Sequence, residues 1–166
     1  IGKRGRITMR NVVVTGAKGF VGKNLIAHLK SLDDEIEIFE IDIDTDKKDV
    51  EEYIKHADYL FHLAGVNRPE KEEDFMKGNF GFTSEVLDIL RKNNNKCTIL
   101  ITSSIQAALD NPYGNSKRAG EELLFEYSKE TGAKVCVYRL PNVFGKWCRP
   151  NYNSVIATFC NNIAKN

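Results

Sequence analysis

Five short apolar segments, each followed by a segment with helical periodicity, constrain the fold of this chain more than any other feature. The apolar segments predict strands at 11–16, 35–42, 58–65, 97–104 and 134–140. The segments after them predict helices at 20–32, 46–57, 72–92, 113–132 and 151–166. Apolar strands that alternate with helices are typical of a parallel sheet covered on both faces. The pattern predicts an α/β fold, a doubly wound, Rossmann-like parallel sheet of five or six strands, the sixth being a short edge strand at 42–45.

Length and charge exclude several other classes of protein. The chain has 166 residues, enough for one domain, which we place at 9–166. Residues 1–8 are polar and basic, and we expect them to be a disordered extension or a remnant of expression. The 24 Lys and Arg nearly balance the 23 Asp and Glu, which argues against nucleic-acid binding. No apolar run approaches the roughly 20 residues that cross a bilayer, and no signal peptide is visible, so we expect a cytoplasmic protein without membrane contact.

Cysteine and histidine spacing gives no sign of a metal site. The four cysteines are far apart in the sequence: Cys97, Cys136, Cys148 and Cys160. Three of them lie in or beside apolar runs, so we expect reduced and mostly buried thiols. The histidines, His28, His56 and His62, show no ligand spacing, which predicts surface or core histidines and no metal.

A glycine-rich turn follows the first predicted strand. Gly16, Gly19 and Gly22 are spaced G-x-x-G-x-x-G directly before the first predicted helix. Glycines let a backbone approach a pyrophosphate closely, and free N–H groups at a helix start face the anion. The turn predicts a dinucleotide site that includes Phe20 and Val21. A tight turn with close packing of helix on strand would explain one or two of the glycines without any ligand.

The charges beside this turn leave the choice of dinucleotide open. An acidic residue at the end of the second strand would bind the free ribose hydroxyls of NAD. Asp42 lies there, with Asp44 close behind it. Lys18, inside the turn, would instead favour the 2′-phosphate of NADPH. Both acidic residues would fit a solvated loop equally well.

Tyr113 and Lys117 lie four residues apart, on one face of a predicted helix. An unperturbed tyrosine has a pKa near 10, so proton transfer at neutral pH needs a nearby cation. Lys117 would lower the pKa of Tyr113 and bind the nicotinamide ribose. Ser103 and Ser104 end the preceding strand, at the sheet edge where doubly wound folds bind ligands. A hydroxyl there would hydrogen-bond a substrate carbonyl while the tyrosine protonates it.

The motifs TGxxGFxG, HLAG, TSS, YGNSK and RLPNVFG together make nearly the whole chain similar to the extended short-chain dehydrogenase/reductase family. The resemblance implies an NAD(P)-dependent oxidoreductase whose catalytic residues are Ser104, Tyr113 and Lys117. It implies cofactor contacts along the glycine turn and at later positions, namely Gly16, Lys18, Gly19, Phe20, Val21, Gly22, Asp42, Leu63, Ala64, Gly65, Asn79, Tyr113, Lys117 and Pro141.

A narrower resemblance rests on SSIQAALDNPYGNSK and PNVFGKWCRPNYNSVIATF. These segments are similar to bacterial capsule and O-antigen nucleotide-sugar reductases on the pathway to UDP-N-acetyl-L-fucosamine. The resemblance implies NADPH-dependent reduction of the C4 ketone of a UDP-2-acetamido-2,6-dideoxy-hexulose, by a domain that precedes a C-terminal cupin domain. The implied substrate contacts are Ser104, Gln106, Arg139, Asn142, Trp147 and Arg149. Arg139 would serve equally as a strand-end salt-bridge residue, and Trp147 as the anchor of a loop.

Departures from the family pattern narrow the expected activity. Ile105 and Gln106 stand where the related 4,6-dehydratases carry an Asp-Glu pair, which counts against dehydration. The chain stops before the family's substrate-binding part, so we expect a cofactor-binding piece of a larger enzyme, and whether this piece is active by itself stays open. A nucleotide-sugar epimerase that keeps NAD bound and a non-catalytic dinucleotide-binding module are the alternatives. Family members often dimerise through the helices predicted at 72–92 and 113–130, which implies a homodimer.

Overall fold

A computed structural model of the chain describes residues 9–32, 35–67, 69–71 and 73–165, so the extension predicted at 1–8 lies outside the described residues. These residues form one five-stranded parallel sheet with the strand order β2-β1-β3-β4-β5. The strands are β1 (Arg10–Thr15), β2 (Ile36–Ile41), β3 (Tyr59–His62), β4 (Thr98–Ser104) and β5 (Val135–Leu140). The helices are α1 (Phe20–Leu29), α2 (Lys47–Lys55), α3 (Glu73–Phe75), α4 (Phe82–Lys92), α5 (Pro112–Thr131) and α6 (Val155–Lys165). The predicted doubly wound α/β fold is confirmed.

Helices cover both faces of the sheet, as predicted. Successive side chains of a strand point to opposite faces, and the buried valines of β1 separate accordingly. Val12 and Val14 pack with Ile26 of α1 on one face. Val13 packs on the other face, in the larger cluster that α2, α4 and α5 complete. The three β-branched residues of β1 therefore contribute to the cores on both faces of the sheet.

Local capping residues fix where the helices begin and end. The Asp46 carboxylate caps α2 by accepting the Lys48 N–H, and the Asn111 side chain caps α5 by accepting the Gly114 N–H. Pro112 occupies the first turn of α5, where its missing N–H costs nothing. Gly132 ends that helix in the left-handed conformation, with φ at 78°.

The helix predicted at 72–92 is present but irregular. Residue 72 lies outside the described residues; α3 runs into a π-helical segment, Met76–Gly81, and then into α4. Its apolar stripe faces the core, with Val86, Leu87 and Leu90 buried. A π-helical turn holds one extra residue, and such turns are frequent at functional sites.

Some predictions about element boundaries were wrong. The edge strand predicted at 42–45 does not form: these residues are a turn closed by Thr45 N–H donating to the Asp42 carbonyl at 3.0 Å. β3 ends at His62, so the segment 63–65 is a loop. α6 starts only at Val155, after turns at 150–153.

The thiols are reduced, but the prediction that most are buried was wrong. Only Cys97 is buried among the four, and burial raises the pKa of its thiol to about 12. Cys136 is exposed because it lies on the face of β5 opposite Val135 and Val137, which pack against the core, and Cys160 because α6 has no buried residue among those described. No helix within the described ranges is long and apolar enough to span a membrane. The same ranges hold no cluster of His, Cys, Asp or Glu suited to a metal ion.

Gly132 gives a stability prediction that separates backbone strain from packing. Gly132→Ala is expected to lower the free energy of unfolding by about 1 kcal/mol, since only glycine adopts a left-handed φ at no cost. A Cβ there would meet no atom within 4 Å, so strain is the whole effect. Gly81→Ala is the matched control: its φ of −61° is helical, and alanine should raise the free energy of unfolding by about 0.5–1 kcal/mol. Urea unfolding of both variants tests this. A change in the free energy of unfolding in the same direction for both would contradict the prediction.

Candidate active site

The glycine turn lies at the carboxyl end of β1, where the sheet order switches direction. Gly16 has φ at 67°, and a Cβ there would lie 2.8 Å from the backbone N of Ala64. A Cβ on Gly22 would collide with the Gly16 carbonyl oxygen and lie 2.9 Å from the Cα of Ala17. The turn therefore leaves no room for side chains at these positions. α1 begins without a side-chain cap at Gly19, so its first N–H groups are available to an anion.

The acidic residues after β2 bind the glycine turn itself. One Asp42 oxygen accepts the Lys18 N–H at 2.7 Å, and the other accepts the Ile43 N–H at 2.9 Å. The Lys18 ammonium forms an exposed ion pair with Asp44. The hydrogen bond that Lys18 donates to Asp44 raises the pKa of Lys18 and lowers the pKa of Asp44. Asp42 thus organises the loop, and Lys18 stays at the surface beside it.

The loop after β3 passes over the π-helical segment at close range. Val66 donates its N–H to Asn79 Oδ1 at 2.9 Å and accepts from Asn79 Nδ2 at 3.0 Å. Asn79 Nδ2 also donates to Ser116 Oγ on α5 at 3.0 Å. A Cβ at Gly65 would lie 2.8 Å from both Asn79 Oδ1 and Lys117 Nζ. The absence of a side chain at Gly65 lets the loop, the π-helical segment and α5 meet.

Ser104, Tyr113 and Lys117 come together at the carboxyl end of β4, as predicted. The Ser104 hydroxyl lies close enough to the Tyr113 phenol to oppose the rise of its pKa. Ser104 Oγ also accepts the Gln106 N–H at 3.2 Å, which fixes the serine at the strand end. Lys117 Nζ lies 5.8 Å from the centroid of the Tyr113 ring. Helical spacing on α5 and the 3₁₀ turn Ile105–Ala108 produce this arrangement.

Close backbone packing sets the position of Tyr113. A Cβ at Gly114 would collide with the Gln106 carbonyl oxygen and lie 2.8 Å from that of Leu109. The start of α5 therefore lies directly against the 3₁₀ turn. The Tyr113 ring also packs on Phe75, with the ring centroids 5.6 Å apart.

The sequence predicts a lowered pKa for Tyr113, whereas the net shift in this structure is upward. Burial of the half-buried phenol raises its pKa above 10, and the neighbouring Ser104 hydroxyl only partly opposes this. Tyr113 is therefore protonated at neutral pH, as a proton donor must be.

Lys117 is itself strongly perturbed. It is 9% exposed, and burial lowers its pKa to about 8, with the negative charge of Glu121 acting in the opposite direction. Its ammonium donates to the Thr102 carbonyl at 3.4 Å, a long hydrogen bond. An ammonium this buried and weakly bonded is costly to the fold and is typical of a functional site.

Arg139 forms a salt bridge at the end of β5. The sequence had left this role open as the alternative to a substrate contact. Its guanidinium binds both carboxylate oxygens of the buried Glu121, with distances of 2.5 to 3.2 Å. Ser103 Oγ donates to the same carboxylate at 2.5 Å. These bonds outweigh the burial that raises the pKa of Glu121, so that pKa is lowered overall. The substrate contact predicted for Arg139 stays a prediction.

The segment after β5 lies beside the glycine turn. Asn24 of α1 donates to the Lys146 carbonyl at 2.8 Å, and a Cβ at Gly145 would lie 3.8 Å from the Phe20 ring. Trp147 has φ at 67° and stacks under the Lys146 ammonium at 4.5 Å. The other residues predicted here are exposed, and their contacts with cofactor or substrate stay predictions: Pro141, Asn142 and Arg149.

Sequence reasoning missed two partners of the Ser104, Tyr113 and Lys117 group. Asn67 Oδ1 accepts the Tyr113 hydroxyl hydrogen at 3.1 Å. Glu121 lies one helical turn beyond Lys117 and ties α5 to β4 and β5. The i, i+4 spacing of Lys117 and Glu121 was a usable signal, whereas a loop asparagine carries none.

This arrangement is a doubly wound sheet with a glycine turn and a Ser–Tyr–Lys group at its carboxyl edge. Residues 12–166 match the NAD dependent epimerase/dehydratase family. The chain belongs to that family.

Relatives with known names agree with this placement. The chain is 51% identical over 154 residues to the UDP-2-acetamido-2,6-beta-L-arabino-hexul-4-ose reductase of Pseudomonas aeruginosa strain PA103, covering 93% of the chain and 41% of that protein. The crystal structure of the capsular polysaccharide assembling protein CapF from Staphylococcus aureus is 57% identical, with a TM-score of 0.83, covering 94% of the chain and 42% of CapF. The NADPH complex of RMD from Pseudomonas aeruginosa is 26% identical, with a TM-score of 0.74, covering 93% and 61%. The chain thus spans about two fifths of the length of the first two.

Proposed function

We propose that this chain is the cofactor-binding part of an NADPH-dependent reductase. The substrate is the C4 ketone of a UDP-2-acetamido-2,6-dideoxy-hexulose, used in the synthesis of capsule or other surface polysaccharide. The observation that carries the proposal is the meeting of Ser104, Tyr113 and Lys117 at the carboxyl edge of the sheet. The name of the 51% identical relative supports the substrate class.

The residues between the glycine turn and Lys117, at the carboxyl edge of the sheet, form what we call the cofactor crevice. They fit a dinucleotide. The glycine turn provides a cradle that a Cβ would fill, and the uncapped start of α1 suits a pyrophosphate. Gly65 and Asn79 border the Lys117 ammonium, where a nicotinamide ribose would donate and accept hydrogen bonds. Membership of the NAD dependent family supports NAD(P) binding in this crevice.

Each catalytic side chain has a separate task in the reduction. Bound NADPH supplies a hydride to the ketone carbon. The Ser104 hydroxyl orients the ketone oxygen, and Tyr113 donates its phenol proton to that oxygen as negative charge develops. Lys117 then stabilises the phenolate that remains, from within 6 Å of the ring. Asn67, which accepts the phenol hydrogen, holds the hydroxyl in place beforehand.

Titration with NADPH and NADH, followed by nicotinamide fluorescence, tests the binding step in this chain. We expect NADPH to bind more tightly, because both Asp42 oxygens already accept backbone N–H groups while Lys18 is exposed beside the turn. Lys18→Ala should raise the dissociation constant for NADPH about tenfold through loss of one charge-assisted bond, and that for NADH much less. Lys23→Ala is the control, because Lys23 is an exposed residue of α1 for which no cofactor contact is predicted. Equal losses for both dinucleotides would contradict the 2′-phosphate contact.

A nucleotide-sugar epimerase that keeps NAD bound is the second candidate, and Asp42 is the residue that favours it. Cofactor turnover separates the two activities. A reductase oxidises one NADPH for each ketone reduced, whereas an epimerase recycles its bound NAD. If neither dinucleotide binds, both candidates fail.

Location and assembly complete the proposal. A cytoplasmic site fits the nucleotide cofactor and the free thiols of the described residues. A homodimer remains a prediction from the family resemblance. The apolar stripe of α4 packs in the core of the chain itself, at Val86, Leu87 and Leu90.

A further inference from the structure

A line of buried polar side chains crosses the floor of the crevice. Thr15, His62 and Thr83 are 0%, 2% and 1% exposed. Thr15 Oγ1 lies 2.9 Å from His62 Nδ1, and His62 Nε2 lies 2.9 Å from Thr83 Oγ1. The imidazole thus joins the end of β1 to the first turn of α4. The catalytic steps proposed above do not use it.

The hydrogen-bond partners allow only one direction along this line. The Thr83 hydroxyl donates its single hydrogen to the Asn79 carbonyl at 2.6 Å, so it must accept from His62. His62 therefore carries its proton on Nε2, and its bare Nδ1 accepts from Thr15. Thr15 Oγ1 in turn accepts the Ala64 N–H at 3.2 Å. Every donor and acceptor in the series is satisfied by this one tautomer.

The imidazole stays neutral over the physiological range. Burial, together with the positive charge of Lys117, lowers the pKa of His62 to about 3. The ring packs against Phe82, with centroids 5.4 Å apart. A cation at His62 would also require Thr15 Oγ1 to accept from Nδ1, which would leave the Thr15 hydroxyl hydrogen without its acceptor.

The two ends of the line are the two halves of the cofactor crevice. At one end, Thr15 precedes Gly16 and holds Ala64, whose backbone packs against that glycine. At the other end, Thr83 holds the carbonyl of Asn79, whose side chain bonds Val66 and Ser116. We propose that His62 is a positioning residue that fixes the distance between the glycine turn and Asn79, so that one dinucleotide fits both. This inference rests on the function proposed above.

Thr83→Val tests the line with least change of shape. It leaves the His62 N–H without its acceptor and removes the side-chain donor to the Asn79 carbonyl, and we expect the dissociation constant for NADPH to rise about tenfold. Thr83→Ser keeps the hydroxyl and should restore wild-type affinity. Thr131→Val is the matched control, because Thr131 makes the same kind of bond, to the Tyr127 carbonyl at 2.7 Å, far along α5. It should lose stability in urea without losing affinity for NADPH.

Nitrogen-15 NMR of the imidazole gives a readout that does not depend on affinity. We expect protonated Nε2 and bare Nδ1 in the wild-type chain, unchanged from pH 5 to 9, with the Nε2–H resonance shifting when NADPH binds. The opposite tautomer, titration within that range, or no shift on binding would overturn the proposal even if Thr83→Val does not fold. So would equal NADPH affinities for Thr83→Val and Thr131→Val. A wild-type chain that binds no NADPH would instead refute the proposed function itself.

Discussion

Tyr113→Phe is expected to lower the rate of NADPH-dependent ketone reduction by a factor of about 10² to 10⁴, the usual contribution of a positioned general acid. The phenylalanine ring keeps the packing against Phe75 and loses only the hydroxyl that Ser104 and Asn67 hold. NADPH affinity should change little, since the glycine turn and Lys117 are untouched. Stopped-flow measurement of NADPH oxidation at saturating ketone, together with a fluorescence titration, separates the two quantities.

Tyr127→Phe provides the matched control on the same helix. The Tyr127 hydroxyl donates to the Asn95 carbonyl at 2.7 Å, away from the crevice. Its loss should lower the free energy of unfolding by about 1 kcal/mol and leave the rate unchanged. Turnover by Tyr113→Phe at the wild-type rate would refute the role assigned to this tyrosine.

Most of the fold could be predicted because the central strand β1 is buried on both faces. Val12 to Val14 form an uninterrupted β-branched run, and the stripe on α4 repeats with helical period, so each pattern has one physical interpretation. The segment at 42–45 was different. Ile43 is an isolated apolar residue between acids, and it is fully exposed in a turn. A single apolar residue does not supply the burial that a strand needs.

The π-helical segment could not be predicted from the local sequence pattern. Gly78 and Gly81 predict a weakened helix, and nothing in their spacing indicates a wider turn. The structure gives the reason for one of them: a Cβ at Gly78 would collide with the Val66 side chain. That contact joins residues far apart in the sequence, so it becomes visible only after folding.

Part of the candidate site could be predicted from the sequence, and part depended on tertiary packing. Parallel topology brings Ser104 and the start of α5 to one edge, so their meeting followed from strand order and helical spacing. The raised pKa of Tyr113 did not follow, because the burial that outweighs the effect of Ser104 depends on tertiary packing. The exposure of Cys136 and Cys160 was also missed, since an apolar run does not reveal which of its faces is covered.

Lys117→Met is expected to stabilise the chain while removing its proposed activity. The pKa of Lys117 is about 8 when folded, against 10.5 for a free lysine. One pKa unit corresponds to 1.36 kcal/mol, so keeping this ammonium buried at pH 7 costs about 3 kcal/mol. Methionine has a similar shape and carries no charge. It should raise the free energy of unfolding at pH 7 by up to that amount, and the loss of the cation should weaken NADPH binding and turnover together.

The pH dependence of this gain identifies its cause. Below pH 8 the lysine is protonated in both states, and its full cost is present. Between pH 8 and 10.5 the unfolded chain binds more protons, so wild-type stability gains from Lys117 as the pH rises, and the advantage of Lys117→Met shrinks. Cys97 acts in the opposite sense above pH 9 but is common to both proteins, so the difference between their urea unfolding curves isolates Lys117. Lys129→Met, exposed on the same helix, should show no such difference, and a pH-independent gain for Lys117→Met would exclude burial of the charge as its origin.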